Sequence, residues 1–189
     1  CRRDILPMSV SMRCGFACPT AVGMVTLVSE LRRCHPDLFV LISATTRQPR
    51  PGEVDGVHYH FVSREKFEEL IVRGQMLEYA LVHGANYYGT PRGPVQQCLD
   101  AGHSALLEID LAGARQVKAA MPQAELVFLA PPSWQELVDR LVGRGTEDES
   151  ERERRLATAK VELAAQDEFD VVIVNDTVAR ANDELEALM

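Results

Sequence analysis

Two arginines and a tyrosine stand close together in the most distinctive stretch of the chain, SATTRQPRPGEVDGVHYHF, which begins at Ser43. Pro49 lies between Arg47 and Arg50 and restricts the backbone there, so the two guanidinium groups can present a fixed fork to the oxygens of one phosphate. The hydroxyl of Tyr59 could add a further donor. If they stood alone, the arginines would be better explained as solvated loop residues, although the pattern also suits a site for a small phosphate ester.

The overall charge favours a small partner over a polymeric one. The 189 residues carry a formal net charge of −8, which repels polyanions at long range and excludes a general nucleic-acid binder. A hydrophobic fraction of 46% and a charged fraction of 25% are typical of a globular protein. We find no apolar run long enough to span a membrane and no signal peptide, so we expect a cytoplasmic protein without membrane association.

The cysteines argue against both a disulfide framework and a metal site. Their number, five, is odd, which fits a reducing compartment better than paired disulfides. Cys14, Cys18 and Cys34 lack the paired C-x2-C spacing with a second pair or with histidines that structural zinc requires. We therefore predict no bound metal.

The elements that must position these residues follow an α/β pattern. Short apolar runs alternate with amphipathic stretches, which predicts strand, crossover and strand units in a parallel sheet. Because the runs are continuous rather than alternating, we interpret them as strands buried on both faces. The predicted strands cover 38–42, 105–109, 125–129 and 171–174.

Two amphipathic helices follow the later strands. Ser133 is predicted to cap the first, and the apolar residues after it recur at helical spacing, so that Trp134 is predicted to lie in the core. The last helix, from about Thr177, shows the same spacing. The apolar positions are Trp134, Leu137, Val138 and Leu141 in the first helix, and Val178, Ala181, Leu185 and Leu188 in the last.

We predict a single domain over residues 1–189, with a core formed by 8–42 and 91–189. The segment 43–90 contains many prolines, glycines and aromatic residues, with short alternating segments around a helix predicted at about 64–73. This pattern predicts an inserted mixed lobe. A break at 143–146 precedes a highly charged helix. The segment at about 143–160 is therefore a candidate lid.

Several further motifs stand in a fixed order along the chain: Glu78-Tyr79, NYYGT from Asn86, LLEIDLAG, APPSWQEL, RLVGRGTE and VIVND. Together with the stretch at Ser43, they make the chain resemble the guanylate kinase family over nearly its whole length. The resemblance implies a P-loop NTPase-like, three-layer α/β/α fold with a central parallel sheet. It also implies that 43–90 is a GMP-binding lobe and that the lid is helical and bears arginines.

The resemblance assigns two groups of residues to GMP. Carboxylates and hydroxyls suit guanine, which offers N1–H and the exocyclic N2 amino group as donors, whereas adenine lacks that donor pair, so Glu78 and Asp110 would exclude adenine. Asp110 also fits a helix N-cap, which is compatible with binding. The phosphate would be held by Arg47, Arg50, Tyr59 and Tyr88, and guanine would be read by Ser43, Glu78, Thr90 and Asp110.

On the donor side, the resemblance implies that Arg140, Arg144 and Arg155 approach the ATP phosphates and the transferring group, and that Asn175 lies at the adenine end. Charged helix faces are otherwise usually just solvated. ATP and Mg²⁺ would be required only if kinase activity is retained, and no other cofactor is predicted.

The chain departs from the family pattern at the phosphate loop, G-x-x-x-x-G-K-[ST]. Cys18 replaces the first glycine, Gly23 is kept, Met24 replaces the lysine and Val25 replaces the magnesium-binding hydroxyl, with Thr26 one position late. Losing one preorganised group often costs about 10²–10³ in rate. We therefore predict a degenerate loop and impaired transfer from ATP.

This departure favours a non-kinase enzyme acting on GMP. Glu108 lies two residues before Asp110 and faces the same way on a strand, so it could orient water or stabilise an oxocarbenium-like sugar. We predict hydrolysis of the N-glycosidic bond, giving guanine and ribose 5-phosphate, in preference to the phosphoester. One alternative is a guanylate kinase that uses Arg140, Arg144 and Arg155. Another is a catalytically dead GMP-sensing or protein-interaction domain. The oligomeric state stays open, with a homodimer among the options.

Overall fold

The computed structural model of the chain describes residues 15–17, 24–35, 38–82, 84–142 and 149–188. In chain order the strands are β1 (Gly15–Ala17), β2 (Phe39–Val40), β3 (Ala44–Thr45), β4 (His60–Phe61), β5 (Met76–Val82), β6 (Asn86–Pro91), β7 (Ala105–Ile109), β8 (Leu126–Ala130) and β9 (Val171–Val174). The helices are α1 (Met24–Cys34), α2 (Arg64–Val72), α3 (Arg92–Asp100), α4 (Leu111–Ala120), α5 (Trp134–Val142), α6 (Glu149–Ala164) and α7 (Val178–Glu186).

A parallel sheet of order β2-β7-β1-β8-β9 forms the centre of the molecule. The short strand β1 pairs with β7 on one side and with β8 on the other, so it occupies the middle of the sheet. Strands β7 and β8 are continuous apolar runs because helices cover both faces of the sheet. The predicted α/β class with a central parallel sheet is confirmed.

Successive residues of the central strands point into two separate hydrophobic cores. Leu107 packs with Val95 of α3 and Val117 of α4. Its neighbour Leu106 packs on the opposite face with Leu27 of α1, in a cluster that also includes residues of α5, α6 and α7. Helices, sheet and helices therefore form the three layers expected of a P-loop NTPase-like protein.

A second sheet, of order β4-β3-β6-β5, lies within the segment for which an inserted lobe was predicted. Strands β5 and β6 form an antiparallel hairpin in which Glu78 is paired with Thr90. Phe67 of α2 is fully buried against this sheet and stacks on Tyr87, with ring centroids 5.1 Å apart. Gly89 is required at its place, because a Cβ atom there would lie 2.4 Å from the backbone oxygen of Glu78.

Side-chain caps define where several helices begin. Asp110 caps α4, Ser63 caps α2 and Thr177 caps α7, each accepting a hydrogen bond from a backbone N–H three residues later. Ser133 Oγ likewise accepts from the backbone N–H of Glu136 at 3.1 Å. The cap predicted at Ser133 is confirmed, and Asp110 forms the N-cap that its sequence context allowed.

The prediction that Trp134 lies in the core is wrong. Leu137 and Leu141 of the same helix are buried, but Trp134 is 37% exposed and its ring lies beneath the amino group of Lys160, 5.4 Å from the ring centroid. Helical spacing identifies the inward face of a helix, but it does not show how far along the axis that face is covered.

Among the described residues, no helix combines the length and the apolar character needed to cross a membrane.

Candidate functional site

A pocket of about 160 Å³ opens where the two sheets meet, at the carboxyl end of β7. The parallel sheet contributes residues at the end of β7, and the second sheet contributes residues of β5 and β6. Ligands of open α/β sheets bind at the carboxyl ends of the strands, so the position is typical of a functional site. The walls are formed by Ser43, Tyr59, Glu78, Ala80, Val82, Tyr88, Gly89, Glu108, Ile109 and Asp110.

Glu78 is a buried carboxyl group, 6% exposed, at the back of this pocket. The hydroxyl of Thr90 donates a hydrogen bond to its Oε1 atom at 2.6 Å. Burial raises the pKa of Glu78 to about 7 and the nearby Asp110 carboxylate acts in the same direction, while hydrogen bonds from the Thr90 hydroxyl and backbone oppose the rise. Glu78 is therefore a strong hydrogen-bond acceptor whose charge changes near neutral pH.

Asp110 lines the same pocket from the N-cap position of α4. Its Oδ1 atom accepts the backbone N–H of Gly113 at 2.7 Å, which fixes the side chain as the helix cap. Asp110 is nevertheless exposed, so the carboxylate can also accept hydrogen bonds from a ligand. Glu78 and Asp110 thus offer two neighbouring acceptor groups to one occupant.

Arg47 is held beside the pocket by a bidentate ion pair with Glu53. Its two terminal nitrogens donate to the Glu53 carboxylate at 2.9 and 2.8 Å, and its Nε donates to the hydroxyl of Tyr88 at 3.0 Å. The backbone N–H of Arg50 also donates to Glu53, at 2.7 Å, while the Arg50 side chain is exposed. The hydrogen bonds from Arg47 lower the pKa of Glu53 to about 2, so this carboxylate stays ionised.

Glu53 is a residue of the site that the sequence analysis missed. The sequence does contain an indication of this role, because the acidic residue follows Arg50 by three positions. We had interpreted this loop from its arginines alone. The loop therefore closes around a carboxylate, and Arg47 is oriented by Glu53 and Tyr88 together.

Two tyrosines complete the wall between the pocket and this arginine. The rings of Tyr59 and Tyr88 meet edge to face with centroids 5.9 Å apart, and the guanidinium of Arg47 lies over the Tyr59 ring at 5.5 Å. Burial raises the pKa of Tyr59, so its hydroxyl remains a donor at neutral pH. These contacts fix the direction of the aromatic rings and of the cation.

A larger cleft of about 470 Å³ adjoins the pocket and shares Ser43, Tyr59 and Glu108 with it. Its outer walls come from α1, including Arg32, and from the loop that carries Glu53. Desolvation raises the pKa of Glu108, and the charge of Arg32 opposes that rise. The two cavities adjoin one another, with the carboxylates of Glu78 and Asp110 lining the smaller one and Arg32 lining the larger one.

The residues predicted for the donor side lie on other elements. Arg140 of α5 pairs with Glu136, Arg155 is half-buried in α6, and Asn175 is buried just after β9. The backbone N–H of Asn175 donates to the oxygen of Ala130 at 2.8 Å, which anchors the end of β9 to the end of β8. Arg144 lies outside the described residues, as does the part of the predicted lid at 143–148.

The predicted phosphate loop falls between β1 and α1. Cys18 and Gly23 lie outside the described residues, whereas Met24 and Val25 are the first two residues of α1. Met24 packs against the core cluster beneath α1, and Thr26 is exposed. The helix α1 is the next described element after the central strand β1, and a helix N-terminus in this position favours anions.

A parallel sheet between two helical layers, with a helix N-terminus after its central strand, is the architecture of P-loop NTPase-like α/β proteins. The model of the guanylate kinase family matches residues 16–189. The chain belongs to the guanylate kinase family.

Individual relatives agree with the family match. The chain is similar to guanylate kinases from Leifsonia xyli (59% identity over 174 residues, 92% of this chain and 68% of the relative) and Rhodococcus jostii (56% identity over 175 residues, 92% and 84%). It is also similar to the crystal structure of guanylate kinase from Anaplasma phagocytophilum, with a TM-score of 0.70, 32% identity, and coverage of 91% of this chain and 80% of that one.

The predicted GMP hydrolase is wrong. Relatives with 52–59% identity over most of the chain are guanylate kinases, which supports the alternative that we left as the runner-up. The prediction gave three substituted positions in one loop more weight than the rest of the sequence. It also relied on Glu108 for hydrolysis, although no motif tied this residue to a hydrolytic reaction.

Proposed function

We propose that the chain transfers a phosphoryl group from ATP to GMP, giving ADP and GDP. The observation that carries this proposal is the pair of acceptors formed by Glu78 and Asp110 in one pocket, with the Arg47 cation beside it. The names of the similar proteins support the same reaction.

In the proposed complex, guanine occupies the pocket between the two sheets. Its N1–H and N2 amino group donate to Glu78 and Asp110, while Ser43 and Thr90 lie beside these carboxylates as further polar partners. Each charge-assisted hydrogen bond contributes about 1.5–3 kcal/mol. Adenine offers no such donor pair, so binding it would leave both carboxylates without a donor from the base.

The phosphate of GMP would lie in the adjoining cleft, against Arg47, Arg50, Tyr59 and Tyr88. The Arg47 guanidinium already has a fixed direction because Glu53 and Tyr88 hold it. A phosphate dianion would add a second anion to this cation, and the exposed side chain of Arg50 can supply the balancing charge. Glu108 lies between pocket and cleft, where the acceptor oxygen would meet the donor.

For the donor, we propose that ATP enters as its magnesium complex near the N-terminus of α1, with Arg140, Arg144 and Arg155 as phosphate ligands and Asn175 near adenine. The residues at the start of α1 do not fit a protein-held magnesium ion. Val25 offers no oxygen, which Mg²⁺ requires, and Met24 offers no charge. We therefore assign no step to a metal ligand of this loop, and we expect the arginines to provide the cationic charge.

Product analysis tests the proposal directly. The protein is incubated with GMP alone, with GMP, ATP and Mg²⁺, and with AMP, ATP and Mg²⁺, and the nucleotides are separated by chromatography. We expect GDP and ADP in equal amounts only in the second mixture, and neither guanine nor ribose 5-phosphate in the first. GMP binding without any ATP-dependent GDP would overturn the transfer reaction.

A further inference from the structure

Gly113, in the first turn of α4, lies directly against the carboxylate that we assign to base recognition. A Cβ atom at this position would be 2.9 Å from Oε2 of Glu78 and 3.4 Å from Oδ1 of Asp110. It would also be 3.2 Å from the Cβ atom of Ile109. A side chain at 113 would therefore compete for space with the two acceptor groups of the pocket.

The backbone of Gly113 does not explain the glycine. The glycines with a positive φ among the described residues are Gly52, Gly56, Gly74, Gly84 and Gly102, so Gly113 has a backbone conformation open to any residue. Alanine has the higher helix propensity, and glycine in a helix is normally a disadvantage. The glycine at this position is therefore explained by its lack of a side chain and not by its conformational freedom.

A side chain at position 113 would displace the Glu78 carboxylate from its present place. The carboxylate is buried, and the Thr90 hydroxyl holds its Oε1 atom at 2.6 Å while Oε2 faces Gly113. Of the atoms near a new Cβ, the carboxylate is the end of a flexible side chain, whereas Ile109 belongs to a central strand. The carboxylate would therefore shift and the strand would not.

We propose that Gly113 is a positioning residue for base recognition, which by lacking a side chain lets the Glu78 carboxylate lie beside Asp110 over the first turn of α4. This inference rests on the proposed function. Gly113 also donates its backbone N–H to Asp110 at 2.7 Å, so one residue sets the places of both acceptors.

The test compares Gly113→Ala with Gly93→Ala by calorimetric titration with GMP, guanosine and AMP. Gly93 is the matched control because it also lies in the first turn of a helix, and a Cβ atom there meets nothing within 4 Å. We expect Gly113→Ala to raise the Kd of both GMP and guanosine about 10-fold or more, with thermal stability kept. Gly93→Ala should leave every Kd within about 2-fold of the wild type.

A shorter carboxylate provides the rescue. Glu78→Asp withdraws the carboxylate by one methylene, so Gly113→Ala should weaken GMP binding less in the Glu78→Asp background than in the wild type. If the single variant does not fold, the proposal requires that it fold in that background. A Kd for GMP that is unchanged by Gly113→Ala, or an equal loss in both backgrounds, would overturn the inference.

The two proposals fail in different ways. A wild-type protein that binds no GMP removes the proposed function and, with it, this inference. A wild-type protein that converts GMP to GDP, together with a Gly113→Ala variant that has the same KM for GMP, removes only the inference.

Discussion

Glu78 links the stability of the fold to the chemistry of its pocket. The side chain is buried, and the described hydrogen bonds to it come from the hydroxyl and the backbone of Thr90, not from a cation. Burial without a compensating charge penalises the ionised form, which is why the pKa rises to about 7. Because no cation neutralises this carboxylate, it can accept hydrogen bonds from a ligand. The fold is therefore less stable at the position where it would recognise the ligand.

We predict that Glu78→Gln changes the pH dependence of stability. The folded-state pKa of Glu78, about 7, lies above the value in the unfolded chain, so the folded state binds this proton more tightly. The loss of unfolding free energy caused by the Glu78 carboxylate is absent below the pKa that Glu78 has in the unfolded chain. It reaches its full size once the pH exceeds about 7. Between pH 5 and pH 8, the wild type should lose about 2–3 kcal/mol of unfolding free energy that Glu78→Gln does not lose.

Urea unfolding of both proteins at several pH values checks this prediction. Glu153→Gln removes an exposed carboxylate of α6 and serves as the control, whose pH profile should parallel that of the wild type. Parallel profiles for the wild type and Glu78→Gln would show that Glu78 does not titrate near neutrality.

Arg47 is expected to act on the phosphate and not on the base. Arg47→Ala should raise the Kd of GMP at least about 10-fold through the loss of charge-assisted hydrogen bonds, while the Kd of guanosine should stay nearly constant. Arg115 is a matched control, because it forms a bidentate pair with Glu168 at 2.7 and 2.6 Å on the outer side of α4. If Arg115→Ala weakened GMP binding as much as Arg47→Ala, a phosphate contact at Arg47 would be excluded.

At the scale of elements, continuous apolar runs predicted β7, β8 and β9, but not β1 in the middle of the sheet. The strands predicted at 105–109 and 171–174 have the observed bounds, and the one predicted at 125–129 is displaced by one residue. The strand predicted at 38–42 is only Phe39–Val40, at the edge of the sheet. The length of an edge strand depends on how much of its one neighbour it can pair with, which composition does not encode.

The residues of the site that belong to recognisable motifs could be predicted from the sequence. The contacts that arise from packing could not. Glu78, Tyr88 and Asp110 were assigned from the family resemblance, and the structure places them around one pocket. The pairing of Arg47 with Glu53 and the approach of Gly113 to Glu78 depend on how loops and layers pack together. Such contacts join distant parts of the chain, and local sequence patterns carry no record of them.

Two of the four apolar residues that we placed on one face of α5 should differ sharply in their contributions to stability. Leu137 is fully buried against the core, so Leu137→Ala should cost about 2–5 kcal/mol of unfolding free energy. Trp134 is partly exposed and contacts the Lys160 ammonium, so Trp134→Ala should cost about 1 kcal/mol. Chemical denaturation followed by circular dichroism measures both losses of unfolding free energy. Equal losses would contradict the partly exposed position of Trp134.

The start of α1 should limit the rate of phosphoryl transfer. Replacing Met24 by lysine and Val25 by serine supplies a cation and an oxygen ligand at the N-terminus of the helix that follows β1. We expect kcat to rise about 10²-fold or more while KM for GMP stays within about 2-fold, because the acceptor pocket is untouched. Val72→Lys, which adds a lysine at an exposed position of α2, is the control and should leave kcat unchanged. No increase in kcat would show that the residues at 24 and 25 do not contact the donor.

At the scale of the whole molecule, the pocket couples the two sheets. Its walls come from β7 of the parallel sheet and from β5 and β6 of the second sheet. Elsewhere the layers are joined by Gln116 of α4, whose side chain donates to the Tyr79 oxygen at 2.9 Å and accepts the Tyr79 N–H at 3.1 Å. A ligand that contacts both walls adds a further connection between the sheets.

Guanine recognition should therefore appear as a gain in global stability that adenine cannot match. A ligand at 100 times its Kd stabilises the folded state by about 2.7 kcal/mol, which raises the Tm of a domain of this size by about 5–10 °C. Thermal unfolding with GMP should show this shift, whereas AMP at the same concentration should give a much smaller one, because Glu78 and Asp110 would lose water without gaining donors. In Glu78→Gln the two shifts should become similar. Equal shifts for GMP and AMP in the wild type would mean that the carboxylate pair does not select the base.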